Sequence, residues 1–438
     1  MPDKMRLAAE QALELARKAG AQDAWVNLVR SRDVSHEYRD GKLEKVKDAT
    51  SRTLSVALYV DGRYASHSTT DLREQTLGTF VANAVGLTRA LQKDPFRKIT
   101  PPELFKGRSG KDLELVDPAI RNLQPAQRLA WCKELYEGIQ GDKRLISASC
   151  AVYDGSSRSL VLSSNGFQGE QAGTSLWMGA DLTFHDQGDK RASTGFYPGT
   201  RQLADMPPVQ AIAREALKRV RQRLGVRKGP SLKGYMVVDA RAAGRLISSL
   251  VGGTTARAFQ QKRSFWLGQI GRKMFSKNLT LTDDPLLPRG LGSRLYDGEG
   301  IAARSLTLVE KGVVRNIYAD TYYGRKLKMA PTTGSRSNLL VEPGHQSLPD
   351  LLAAAGDGIY VTSWLGGNAD NTTGEFSLGL RGHLIRKGQI VEPVGEMNVT
   401  GNLRDLFSNL VALGNDPWPY SSLRTPSMLF EGVSFSGS

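Results

Sequence analysis

The stretch Tyr235-Met236-Val237-Val238-Asp239, running on through Gly252-Gly253 to Ser264-Phe265, decides how the second half of this chain is read. Its apolar run predicts a short buried strand, and the Asp239 carboxylate is placed to cap a following helix, expected from Ala240 to Val251. Gly252-Gly253 should end that helix, because glycine enters the left-handed C-terminal conformation without steric cost. Arg257, Lys262 and Arg263 then form a basic loop facing solvent. A strand, a helix and a loop of this kind can frame a cleft. Yet the helix supplies only Arg241, Arg245, Ser248 and Ser249 as polar groups, none of them a metal ligand or an obvious general base.

On the N-terminal side, Met5 to Ala19 reads as an amphipathic helix. Alternating apolar residues then approach Asp40-Gly41 and Asp61-Gly62, and Asp-Gly between alternating runs marks tight hairpins. The first 70 residues should therefore be a helix on an antiparallel meander. Asp71 and Glu74 resemble a capping box opening a second helix, and a third starts near Pro125. Residues 147–184 read as strands broken at Asp154-Gly155 and at Asn165-Gly166. Pro207-Pro208 opens a helix with a basic face, Arg214, Lys218, Arg219, Arg221 and Arg223, continued by Arg227 and Lys228. A solvated helix face accounts for these charges more simply than a polyanion site, because no aromatic residues are interleaved.

On the C-terminal side, hairpins are expected around Lys311-Gly312 and Lys387-Gly388, with a polar loop at 331–338 fit to line a site. A last helix is expected over 402–413 and a final strand near Met428 to Phe430. The fold class is α+β: an N-terminal helix-on-antiparallel-sheet domain over 1–228 and a strand-rich C-terminal domain over 229–438.

The 438 residues suffice for two cores. Two cysteines, Cys132 and Cys150, give neither a disulfide framework nor a structural zinc site. With no apolar block at its start and no long apolar run, the chain is expected to be cytoplasmic and free of the membrane. A formal charge of +15 favours acidic partners without identifying one. The five histidines are scattered, and neither a nucleophile elbow nor a phosphate-binding loop occurs. Asp283-Asp284 and Asp297 with Glu299 could hold a hard cation, but they lie in turns, where carboxylates commonly shape the backbone.

Several segments carry a resemblance. They are Tyr-Arg-Asp-Gly-Lys-Leu-Glu-Lys-Val at 38–46, Ser-Phe-Trp-Leu-Gly-Gln-Ile-Gly at 264–271, Tyr-Asp-Gly-Glu-Gly at 296–300, Gly-Glu-Phe-Ser-Leu-Gly at 374–379 and Gly-Asn-Leu-Arg-Asp-Leu at 401–406. In this order and spacing the chain resembles the PmbA/TldE branch of the TldD/PmbA family. The resemblance implies a partner of a metalloprotease subunit acting on unfolded or small peptides. That TldD-like subunit carries His-Glu-x-x-x-His on the helix after the central strand, and a cysteine ligand near the C-terminus. The positions here that match the metal motif are Ser248, Ser249 and Gly253, and 414–424 contains neither Cys nor His. Hydroxyls and glycine do not replace imidazoles as zinc ligands at neutral pH.

The resemblance therefore implies no cofactor on this chain and zinc on a TldD-like partner, joined to it as a heterodimer, with a homodimer as the other arrangement. Peptide would be held on walls built from Gly252, Gly253, Gly366, Gly367, Asn368, Asn371, Thr373 and Gly374. The alternative is a homodimeric polyanion- or DNA-associated modulator without protease activity, using Arg214 to Lys228 and Arg257 to Arg263, in keeping with the family's older description as a gyrase modulator. Nucleic acid is the less favoured partner.

Overall fold

The computed structural model describes residues 3–437. The first helix, Lys4–Lys18, is capped by Asp3, whose carboxylate accepts from the Met5 backbone N–H at 3.1 Å. Strands Asp23–Arg39, Lys42–Val60 and Arg63–Thr69 follow as an antiparallel meander. Both residues of Asp40-Gly41 and of Asp61-Gly62 have positive φ, as the tight hairpin turn requires. Strand Leu145–Ser163 pairs with Asp23–Arg39, and Gln168–His185 and Arg191–Phe196 extend the same antiparallel sheet. Helices Lys4–Lys18 and Glu74–Arg89 cover one core on this sheet, around Ala12, Val56 and Val81. Helices Pro125–Glu137 and Val209–Arg221 cover another, around Cys132, Met178 and Ile212. Both cysteines are free and buried, and burial pushes each thiol up to about 12, so they pack as small hydrophobes.

The second half builds a closed ring. Strand Leu232–Val238 pairs in parallel with Gly358–Ala369, which runs antiparallel to Glu375–Arg386, and this in turn pairs with Gln389–Asn402. The last strand, Met428–Ser436, bonds to Leu232–Val238 on one side and returns to Gln389–Asn402 through Val399↔Phe435 on the other. A smaller sheet is formed by Leu281–Asp283, Leu306–Glu310, Val313–Val314, Leu339–Val341 and Leu423–Arg424. Helix Ala240–Leu250 buries Ala243, Leu246, Ile247 and Leu250 in one core with Met236 and Val238 of the barrel and Leu281, Leu308 and Leu339 of the small sheet.

Five local expectations are corrected. The Asp71/Glu74 capping box is absent: Arg73 is the N-cap without a side-chain bond, and Asp71 binds the Arg73 backbone N–H and guanidinium instead. The strand does not break at Asp154-Gly155, because Arg128 reaches the Asp154 carboxylate with bonds of 2.5 and 2.8 Å in the interior. Helix Ala240–Leu250 does not end in a left-handed glycine. It tightens into a 3-10 turn at Val251–Gly253, where the Trp266 indole N–H donates to the Leu250 carbonyl and the Ser264 hydroxyl to that of Gly253. The basic loop begins as a short helix, Ala256–Gln260. The last helix covers only Leu403–Ser408, and Leu410–Leu413 instead becomes a strand paired with Met428–Phe430.

The Arg128–Asp154 pair leaves only 1% and 6% of the two side chains exposed. Removing one partner strands a buried charge, so Asp154→Ala should lower stability by about 3–5 kcal/mol. The measurement is the urea unfolding midpoint, and an unchanged midpoint would contradict the assignment.

Candidate functional site

Asp239 fixes the start of helix Ala240–Leu250 by accepting from the Arg241 backbone N–H at 3.0 Å and from the Tyr360 hydroxyl at 2.9 Å. Thr425 ties the tail to the same turn by donating to the Ala240 carbonyl at 2.7 Å. With its apolar face in the core, the helix turns Arg241, Arg245 and Ser248 into a cleft of about 390 Å³. Trp177 and Tyr197 of the first sheet region, Arg336 of the polar loop, and Trp418, Tyr420, Ser421 and Ser422 of the tail complete its wall. Arg241 donates to the Gly195 carbonyl at 3.1 Å, joining helix and first unit.

A second cleft, of about 480 Å³, shares Arg241 and Arg245 and is bounded by strand residues 362–366. Here Trp364 donates to the Ala242 carbonyl and Arg245 to the Gly367 carbonyl, each at 2.9 Å. Gly366, Gly367 and Asn368 are exposed on this strand, and Gly367 and Asn368 also line a groove of about 860 Å³ beside Ser377, Thr400 and Asn402. Asn371 and Thr373 are exposed at the tip of the hairpin. The Asn371 carbonyl accepts from Phe265, and a Cβ on Gly252 would lie 2.4 Å from its side-chain oxygen. Gly252 is exposed as expected, but Gly253 and Gly374 are buried, Gly253 beside Ser264 and Gly374 beside Asn402 and Phe265. Gly252, Gly253, Asn371 and Gly374 thus meet at one junction of helix end and hairpin, while Gly366, Gly367 and Asn368 lie on the strand.

The zinc-motif positions carry no imidazole, thiolate or carboxylate. Ser248 opens into the arginine-lined cleft, Ser249 is half-buried, and Gly253 has no side chain and a carbonyl already bonded to Ser264. Hydroxyls among guanidinium groups do not fit a divalent cation. Among the described residues no three His, Cys, Asp or Glu side chains come together as a metal cluster. The acidic residues act as latches, and Asp283 ends strand Leu281–Asp283 rather than lying in a turn. Asp283 accepts from Tyr318 at 2.8 Å and from the Ser337 hydroxyl, while Asp297 accepts from Thr333 and Gly334 at 3.0 and 2.9 Å, so the polar loop at 331–338 is pinned. Burial pushes the Glu299 carboxyl up, opposed by donors from Thr321.

The basic residues of the helix do not form one surface. Arg214, Lys218, Arg227 and Lys228 are exposed, whereas Arg221 pairs with Asp142 at 3.0 Å and Arg219 with Glu215 at 2.7 Å. Arg223 turns inward to the Ser193 carbonyl and the Ser363 hydroxyl at 2.5 and 3.0 Å. The aromatic wall was invisible in sequence because Trp177, Tyr197, Trp418 and Tyr420 come from distant segments. The pairing of Arg241 with Arg245 one helical turn on was the available signal.

Known proteins share this architecture. The chain is 40% identical to a crystallised candidate modulator of DNA gyrase from Bacteroides thetaiotaomicron, covering 100% of this chain and 99% of that one with a TM-score of 0.96. Models of the PmbA/TldA metallopeptidase domain 1, central domain and C-terminal domain match residues 26–87, 118–224 and 233–437. The chain belongs to the PmbA/TldE family. Within it, metalloprotease PmbA of Escherichia coli O157:H7 is 27% identical over 98% of this chain and 95% of its own length. TldE from Thermococcus kodakarensis shares the fold, with a TM-score of 0.87 at 18% identity over 98% of this chain and 100% of that one. Membership gives this PmbA/TldE protein a role associated with the family's peptidases. No helix among its described residues is long and apolar enough to cross a membrane.

Gly367 has φ of +91°, and a Cβ there would meet the Ser377 carbonyl oxygen at 2.0 Å. Gly367→Ala should cost about 1–3 kcal/mol and speed amide hydrogen exchange in 362–377. Unchanged exchange there would contradict this account of the strand.

Proposed function

We propose that this chain is the non-catalytic subunit of a TldD/TldE-type zinc metallopeptidase of the cytoplasm, supplying peptide-binding walls and a subunit interface to a metal-bearing partner that acts on unfolded or small peptides. The observation that carries this reading is the pairing of a cleft built from hydroxyls and guanidinium groups with an open strand edge beside it. Strand Gly358–Ala369 loses its parallel neighbour after Val361, so from residue 362 one edge faces helix Ala240–Leu250 instead of another strand. An extended peptide can add to such an edge through main-chain hydrogen bonds, which hold many sequences alike. Zinc and the hydrolytic step then belong to the partner, and this chain binds and orients the peptide.

The DNA-associated alternative draws on the gyrase-modulator description of the Bacteroides relative. It has less support, because the basic helix spends Arg219, Arg221 and Arg223 on internal partners. The discriminating experiment mixes this chain with a TldD-type subunit and an unfolded polypeptide. Copurification of the two chains, with cleavage only in the mixture, is expected. Cleavage at the same rate by this chain alone would overturn the proposal.

A further inference from the structure

The cleft around Arg241 and Arg245 holds more positive charge than its surroundings neutralise. Neither arginine, nor Arg336 in the same lining, takes part in an ion pair among the described residues, while the nearby Glu215 is already held by Arg219 and Lys218. Arg241 is largely buried, which together with the charge of Arg219 holds its guanidinium below the ordinary range, with Asp239 and Glu215 acting weakly the other way. Arg223, bonded to Ser363 at the end of the neighbouring strand edge, is pulled down to about 10 by burial and then by Arg381, Arg241 and Arg219. Guanidinium groups gathered without a paired carboxylate are stabilised by an anion that accepts from them, and planar carboxylates match their donor geometry.

We propose that this cleft takes the C-terminal carboxylate of a peptide, so that the chain captures substrates by their free C-terminal ends. Two features favour a peptide over a phosphate-bearing ligand. Arg241 and Arg245 border both clefts, so a strand added along residues 362–366, at about 3.3 Å per residue, leads its terminus to the two guanidinium groups. The carboxylate then meets Arg241 and Arg245, with Arg336, Ser248, Ser421 and Ser422 offering further donors within the same cleft, and the rings of Trp177 and Trp418 offer contact to the last side chain. The inference rests on the peptide-binding role proposed above and adds an end-specific recognition to it.

The test titrates two synthetic peptides of one sequence, with a free C-terminal acid or a C-terminal amide, into the full chain by calorimetry, with inorganic phosphate as a third ligand. The acid should bind at least about tenfold more tightly than the amide, the scale of a charge-assisted contact. Arg336→Ala and Arg245→Ala, both at exposed positions, should each bring the two peptides to within about twofold by weakening the acid alone. Equal binding of acid and amide to the unaltered chain would overturn the inference and leave partner-dependent cleavage untouched. Phosphate binding more tightly than the acid peptide would also overturn it. A chain that binds neither peptide and fails to copurify with a TldD-type subunit would overturn the functional reading as well.

Discussion

Strand Leu232–Val238 has 7 residues and its neighbour Gly358–Ala369 has 12, and the two pair in parallel only from Gly358↔Tyr235 to Val361↔Val238. That difference in length shapes the functional face. At Val238 the shorter strand gives way to Asp239 and a helix, so the longer one runs on with one edge open. Met428–Ser436 closes the ring around it by pairing with Leu232–Val238 and with Gln389–Asn402. The helix is held against the open edge by Asp239 at its start, Trp266 at its end and Trp364 along its side. These bonds join cleft, edge and helix.

On this scaffold the side chains decide the chemistry. A helix following the central strand of a barrel could present imidazoles to a cleft, but this one presents two guanidinium groups and a hydroxyl. Cations at those positions oppose a metal ion and attract a carboxylate, since like charges in a partly desolvated cleft interact far more strongly than in water. The aromatic wall adds apolar area that a guanidinium cluster alone would lack.

Much of the fold could be read from the sequence where the cause was local. Asp40-Gly41 and Asp61-Gly62 gave their hairpins because positive φ is a property of the turn residues themselves. Asp154-Gly155 carries a similar local signature yet lies mid-strand, because its partner Arg128 is 26 residues away and sequence reading weighs neighbours. Leu410–Leu413 became a strand for the same kind of reason, its pairing being with Met428–Phe430 beyond a proline-rich tail. Of the glycines expected to form a wall, Gly252, Gly366 and Gly367 are exposed, whereas Gly253 and Gly374 are buried. The cleft itself was not, since its rings and Arg336 come from segments that meet only in the folded chain.

The central claim is that the helix after the central strand keeps the family scaffold without a metal's ligands. Calorimetric titration of the isolated, metal-stripped chain with zinc tests it most directly. The account predicts no stoichiometric binding, because Ser248, Ser249 and Gly253 offer no imidazole or thiolate. One zinc bound per chain, with peptide cleavage appearing as the site fills, would contradict it.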